Sequence, residues 1–439
     1  MKLKKPKIFI GFIEIAGRYS SLQYGFRQLG YDTLFVSYKR NRFYHLSPSG
    51  FKLLDRYFLY VQKGFSVNTG IGAKLINKSI TYFGFPFFFT WALIKYDYFI
   101  FASGQSFFSI FQFIERFKWY RLLLFDYKIL RLFNKKILVQ FHGSDSRPPY
   151  LNGAALHSIN FSIPKLYQLT RRKSIEIDFI DRHAHHIIDI PPQGYFHKRP
   201  FILRLLSGLP SGPFFVHRAT EKNKKITIVH APSKPEIKGT DIIENHINTL
   251  SKDYPIEYIQ IINKNNSEVI EAIGKADIVV DQLYCDYGLA GLATEASWLK
   301  KPVIIGGNAV ALWNKILPNN MIPATIYCSS EEVFEHLELL VKSEEERIKA
   351  GERAFNYVSS YHSPLKVAEN FISIFHNNYS KDWEYLPLDS NELYGGYFAK
   401  SDEIKNAIQK LINEFGIGAL QLEDKPALCE KVVLFANQK

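Results

Sequence analysis

Short apolar runs alternate along this chain with longer amphipathic stretches. That alternation predicts parallel strands joined by helices. KIFIGFI over 7–13 predicts a buried strand, EIAGR over 14–18 the loop after it, and 19–29 a helix ending at Gly30. TLFVS over 33–37 completes a βαβ opening. Further strands are expected at 97–101, 137–141 and near 187–190, and 107–136 is helix-prone throughout. PSGP at 210–213 marks the best domain boundary, after which the pattern restarts. Strands are expected at 226–229, 256–262, 277–280, 303–305 and 325–327, with helices over 240–250, 267–274, 331–341 and 343–357. An amphipathic helix over 364–377 is expected to cross back to the first domain. Residues 381–396 read as a connector, and 402–415 and 427–436 as helices. The fold class is therefore α/β, with two Rossmann-like domains whose parallel sheets are expected to face each other across a cleft. The domains are 1–212, 213–377, and a helical extension, 378–439, expected to pack back on the first.

Composition narrows the class. The chain has 439 residues, 46% of them hydrophobic, and a mean hydropathy of −0.12, as a globular protein of two or three domains would. Three scattered cysteines and no CxxC imply neither a disulfide framework nor a zinc site, so a reducing cytosol is expected. The basic start followed by an apolar run is broken by Glu14 and Arg18, which favours a first strand over a signal peptide. The aromatic stretch 82–102 contains Pro86, Lys95 and Asp97, so no transmembrane helix is expected. Charge is unevenly placed. Residues 1–212 carry 31 Lys+Arg against 11 Asp+Glu, and residues 213–439 carry 24 against 31. The basic half predicts an anionic partner. Its aromatic and cationic stretch at 107–136 suits a membrane surface. Single-stranded nucleic acid would be the other anionic ligand for such a stretch; no specific nucleic-acid role is expected.

Three loops carry candidate chemistry, each following a predicted strand, where open α/β sheets place ligand groups. In DQLYCDYGLAGLATEASWLKKPVII (281–305), a glycine loop opens into a helix whose N-terminus can hold an anion, and Glu295 can accept hydrogen bonds from sugar hydroxyls. In HAPSKPEIKGTD (230–241), Lys234 and Lys238 can neutralise a diphosphate. In FHGSDSR (141–147), Gly143 admits close backbone approach, His142 can donate to a sugar hydroxyl or leaving-group oxygen, and Asp145 can orient His142 or an acceptor hydroxyl. His183, His185 and His186 crowd together without matching carboxylates, which favours a polar helix end over a metal site. The sequence has no GxGxxG after its first strand, no P-loop, no GxSxG and no DxD, so lysines rather than a metal are expected to meet a diphosphate.

These three stretches together resemble the GT-B glycosyltransferases of the large retaining group, family 4-like, and in particular the subset acting on polysaccharides and lipid-linked glycans. The resemblance spans 7–377. It implies GT-B architecture and sugar transfer from a nucleotide sugar, UDP- or GDP-linked, to a glycan or lipid-linked hydroxyl at the cytosolic membrane face. It implies no cofactor and no metal. Lys234 and Lys238 would bind the donor diphosphate, Glu295 the ribose, Gly17 and Arg18 the donor phosphate and sugar, and His142 would sit near the transferred sugar. The family usually has a second Glu eight positions before the one matched by Glu295. Here Tyr287 stands there, flanked by Asp286 and Gly288, which opens the question of a weakened site. A nucleotide-sugar epimerase of the same fold and a non-catalytic glycan- or membrane-binding relative are the alternatives.

Overall fold

The computed structural model describes residues 5–38, 52–65, 70–111, 120–158, 162–203, 225–390, 392–393 and 401–438. The chain forms two compact units. Unit 1 is Met1–Ser146, Gln168–Ser211 and Pro364–Ser390; unit 2 is Arg147–Tyr167, Gly212–Ser363 and Asn391–Lys439. The boundary expected at 210–213 lies outside the described residues.

Unit 1 is built on β1 (Ile8–Phe12), β2 (Thr33–Ser37), β3 (Tyr98–Ala102), β4 (Lys136–Gln140), β5 (His186–Asp189) and β6 (Phe201–Leu203). They order as β6-β5-β4-β3-β1-β2, all parallel. A short strand, Glu384–Tyr385, adds antiparallel to β6. Both sheet faces are covered, so the strands are near-continuous apolar runs. On one face Ile8, Ile10, Ile100 and Leu138 pack against α1 (Arg18–Gln28) and the helix Pro364–Phe375. Gly25 explains how close those helices come: a Cβ there would fall 2.0 Å from the carbonyl oxygen of Pro364. On the other face Phe9, Phe12, Phe99 and Phe101 meet Phe107 and, from the helix α3 (Ile71–Lys95), Phe88. A helix α2 (Lys52–Phe65) packs beside α3.

The stretch 107–136 is not one helix. It opens with a 3₁₀ turn, Phe107–Ile110, and its described remainder is a second turn, Tyr120–Leu124, then α4 (Phe125–Leu132) and the start of β4; residues 112–119 lie outside the described set. The aromatic core takes Phe107 and Ile110 to full burial. Ser106 caps the first turn with Ser109. Conversely, α6 (Ile163–His183), a helix dense in charge, is not evident from the apolar pattern; α5 (Gly153–Ser158) precedes it.

Unit 2 has five parallel strands, β7 (Ile226–His230), β8 (Ile256–Gln260), β9 (Ile278–Val280), β10 (Val303–Gly306) and β11 (Ile326–Cys328), ordered β11-β10-β9-β7-β8. Ile228, Ile278, Val280 and Ile304 form its core with Ile243 and Ile247 of the helix Thr240–Leu250 and with Leu337 and Leu340. The tail helices Ser401–Phe415 and Pro426–Asn437 pack together, and the first lies on α5. Phe415 stacks on Tyr167 at 4.4 Å. The Tyr150 hydroxyl donates to the Leu420 carbonyl at 2.9 Å. The tail thus meets a stretch of early sequence, residues 147–167, that folds into unit 2. Among the described residues no helix is long and apolar enough to cross a membrane.

Candidate functional site

The loops after β7 and β9 are folded into one block in unit 2. Lys238 ends a short helix, Pro235–Lys238, and Gly239 reverses the chain at φ 74°. A Cβ on Gly239 would lie 2.7 Å from the Leu283 side chain, so the Lys-Gly turn can rest directly on the second loop. The Leu283 amide donates to the Lys238 carbonyl at 3.1 Å. The Lys238 ammonium donates to the side-chain carbonyl of Gln282, a neighbour the sequence reading missed. Lys234 stays exposed at the front of the turn. His230, fully buried, is fixed between the Val280 carbonyl and the Thr240 hydroxyl at 2.9 and 2.8 Å. Burial pushes its pKa down to about 4, so the ring is a neutral strut.

The loop from Asp281 to Ala290 is tied down through its carbonyls. Tyr327 donates to Cys285 at 2.8 Å, the Trp313 indole to Asp286 at 2.6 Å, and the Thr325 hydroxyl to Gly288. Gly288 and Gly307 keep the contacts close: a Cβ would meet Tyr327 at 2.9 Å in the first and the Cys285 carbonyl oxygen at 2.0 Å in the second. After the loop comes the helix Gly291–Trp298. Its N-terminus, predicted as an anion site, has an internal carboxylate beside it: buried Asp281 lies close enough to the Ala293 amide for that amide to act on its pKa. Burial raises the Asp281 pKa, with Lys238 and that amide opposing the rise. Glu295 is buried at 3% exposure and accepts from the Asn266 side chain at 2.7 Å.

The two residues at the second acid position that the resemblance implies are Tyr287 and Asp286. Tyr287 is buried beneath the loop, its ring 5.0 Å from Trp313. Asp286 forms an ion pair with Arg147, whose guanidinium is 1% exposed. Arg147 closes the FHGSDSR stretch, yet it belongs to unit 2 and was not singled out in the sequence.

In unit 1 the first turn of α1 and the loop after β4 are joined by the Tyr19 hydroxyl and His142 Nε2, 2.7 Å apart. Asp145 accepts from the backbone amide of His142 at 3.0 Å, so its carboxylate shapes the turn around Gly143. Burial raises its pKa, opposed by Ser103 and Lys173. Gly17 is the left-handed N-cap of α1 and Arg18 its first residue. Glu14, read in the sequence only as a charge interrupting an apolar run, accepts from the amides of Ile15, Tyr19 and Ser20 and from the Ser20 hydroxyl. This helix N-terminus is occupied by the chain's own carboxylate. Asp145, Arg172, Lys173 and Glu176 line a polar cavity of about 250 Å³ with Ser103 and Gln105. His197 bridges Asp181 and Asp189 at 2.6 and 3.1 Å. His183 ends α6, the His185 Nδ1 accepts from the Ile137 amide, and His186 starts β5. Among the described residues no group of three or more His, Cys, Asp or Glu could hold a metal ion.

No protein-family model matches the sequence, and no curated protein matches it. Solved structures do. The catalytic domain of starch synthase IV from Arabidopsis thaliana, bound to ADP and acarbose, aligns over 85% of this chain and 99% of its own at 11% identity and TM-score 0.52. Anabaena HepE in complex with UDP-glucose aligns over 85% and 100% at 9% identity and TM-score 0.47. A glycosyltransferase from Rickettsia africae aligns over 85% and 99% at 12% identity and TM-score 0.46. The fold is GT-B. That statement rests on the first likeness and on the two parallel-sheet units.

Proposed function

We propose that this protein is a glycosyltransferase that moves a sugar from a nucleotide-sugar donor to a hydroxyl of a glycan or lipid-linked acceptor, with retention at the anomeric carbon. The observation that carries this reading is the block in unit 2 where Lys238, at the end of one βα loop, lies on the Gly-containing loop that leads to buried Glu295. Lys238 and Lys234 would meet the diphosphate, and Glu295 would accept from the ribose hydroxyls. As the glycosidic bond breaks, negative charge collects on the leaving diphosphate. A cation already fixed by Gln282 stabilises that charge without reorganising. The rigid carbonyl ties of the 281–290 loop serve the same end. The starch synthase of like fold was solved with ADP, which supports a nucleoside diphosphate as the leaving group. The sequence has no DxD, which supports a lysine-based, metal-independent diphosphate site. His142, held by Tyr19, is the unit 1 group proposed to lie near the transferred sugar. The charge excess of residues 1–212 supports an acceptor presented at an anionic membrane surface, at the cytosolic face.

A thermal-shift screen against UDP-, GDP-, ADP- and CMP-sugars tests the donor. A donor at 100 times its Kd stabilises by about 2.7 kcal/mol. Lys238→Ala and Glu295→Ala should abolish the shift; no shift with any donor for the wild type removes the reading. One observation favours a second reading, a glycan-binding protein with a degenerate site: Tyr287 is buried and Asp286 is paired to Arg147. Donor binding without turnover of any acceptor would select it.

A further inference from the structure

The helix α3 has two apolar faces. Phe85, Phe88 and Ala92 are buried in unit 1. On the opposite side Ile76, Ile80, Phe83, Phe87 and Ile94 stand 64, 37, 80, 79 and 76% exposed. Their spacing of four, three, four and seven places them in one stripe along a helix. Single exposed apolar residues need no explanation, but a contiguous aromatic and aliphatic stripe does. Charge indicates what covers it. The segment Ile71–Lys95 contains no carboxylate, its lysines Lys74 and Lys78 lying on the other side of the helix from the stripe, and neighbouring α2 exposes Arg56 and Lys63 against Asp55 alone. A second copy docked through this hairpin would set like charges together. A surface of anionic lipid would complement the apolar stripe together with the exposed cations of α2 and the 31 Lys+Arg against 11 Asp+Glu of residues 1–212.

We infer that this stripe of α3 is the face by which the protein lies on an anionic membrane, with Phe83 and Phe87 inserted among the lipid headgroups. This rests on the reading of an anionic membrane partner given above, and it moves the contact from the 107–136 stretch to α3. No helix of the described residues needs to span: a helix of this kind lies in the interface plane.

The test is sedimentation of the full chain with phosphatidylcholine vesicles, with and without phosphatidylglycerol, for the wild type and for Phe83→Asp/Phe87→Asp. Both phenylalanines are exposed, so the variant should keep its melting temperature and its nucleotide-induced shift. The wild type should partition onto the anionic vesicles, less so as salt rises, and the variant should lose about tenfold or more in partition coefficient. Equal binding by wild type and variant would overturn the α3 face while leaving the membrane reading intact. A wild type that ignores phosphatidylglycerol would remove the membrane reading itself. A dimer that dissociates in the variant, with no vesicle binding, would assign the stripe to a second copy and overturn the inference.

Discussion

Raising the pH should weaken unit 1 through a single buried histidine. His197 is enclosed, with Asp181 at Nδ1 and Asp189 at Nε2. Burial alone would push its pKa down, but the two carboxylates outweigh burial and raise it to about 9. The ordinary value is 6.5, so the native state holds the proton more tightly than the unfolded chain does. The stabilisation is therefore fully present below pH 6.5 and is lost as the pH climbs through 9. A shift of that size corresponds to about 3 kcal/mol, at roughly 1.4 kcal/mol per pKa unit. Unit 1 should be followed by urea unfolding from pH 6 to 10, with His197→Asn measured in parallel to subtract every other titration. The gap in stability between wild type and variant should shrink by about 3 kcal/mol across the range. A gap that is the same at pH 6.5 and 10 would show that the ring is neutral in the native state, and the reasoning would fail. The effect should leave nucleotide binding in unit 2 unchanged, since the cluster belongs to unit 1.

Three further outcomes are expected. Glu295→Gln, on the proposed donor reading, should weaken nucleoside diphosphate binding about 10- to 100-fold by calorimetry, the value of a hydrogen bond to a charged acceptor; an unchanged Kd would remove Glu295 from the site. Gly307→Ala should cost about 1–3 kcal/mol or more by driving a methyl group into the Cys285 carbonyl, and a melting temperature equal to wild type would contradict the packing. Arg147→Ala should destabilise unit 2 by about 3–5 kcal/mol by leaving Asp286 without its cation, and Asp286→Asn on that background should recover part of the loss; no recovery would mean that Arg147 acts through packing alone.

The strand-and-helix frame was legible because the inner strands of both sheets are buried on both faces, which writes them as apolar runs; the edge strand β8, IEYIQ, is half-exposed. TLFVS and the helix at 240–250 match the structure residue for residue. α6 was hidden for the converse reason: RRKSIEIDFID places charges on most of its turns, and its buried positions, such as Leu166 and Ile177, are too sparse to read against them. The 107–136 stretch failed because periodicity does not say which aromatic will be drawn into a neighbouring core, as Phe107 is. In the candidate site, Lys238 and Glu295 were singled out from their loops. Gln282, Asn266 and Arg147 were not, since each contacts its partner through a fold that pairs residues 44, 29 and 139 positions apart. The aspartate beside Tyr287 looked available for a ligand because sequence shows adjacency and not the guanidinium that holds it.

Sequence does not show that internal carboxylates stand at the helix N-termini expected to meet phosphate, and the physics of that arrangement gives a last test. Glu14 accepts from the amides that open α1, and buried Asp281 lies beside the Ala293 amide of Gly291–Trp298. A helix N-terminus favours any anion, so a native carboxylate and a ligand phosphate compete for the same field. In unit 2 the competition is tempered by Lys238, which acts on Asp281 and would also face the diphosphate. Asp281→Asn keeps the size of the side chain and removes the negative charge that Lys238 and the Ala293 amide act on. If the diphosphate sits in the field of Lys238, as proposed, the variant should bind nucleoside diphosphate more tightly, by up to about fivefold for a change worth 0.3–1 kcal/mol. Glu14→Gln, in unit 1, should leave that affinity unchanged. Weaker binding by Asp281→Asn, at an unaltered melting temperature, would mean that the carboxylate itself accepts from the ligand, and the anion would then have to be placed away from this loop.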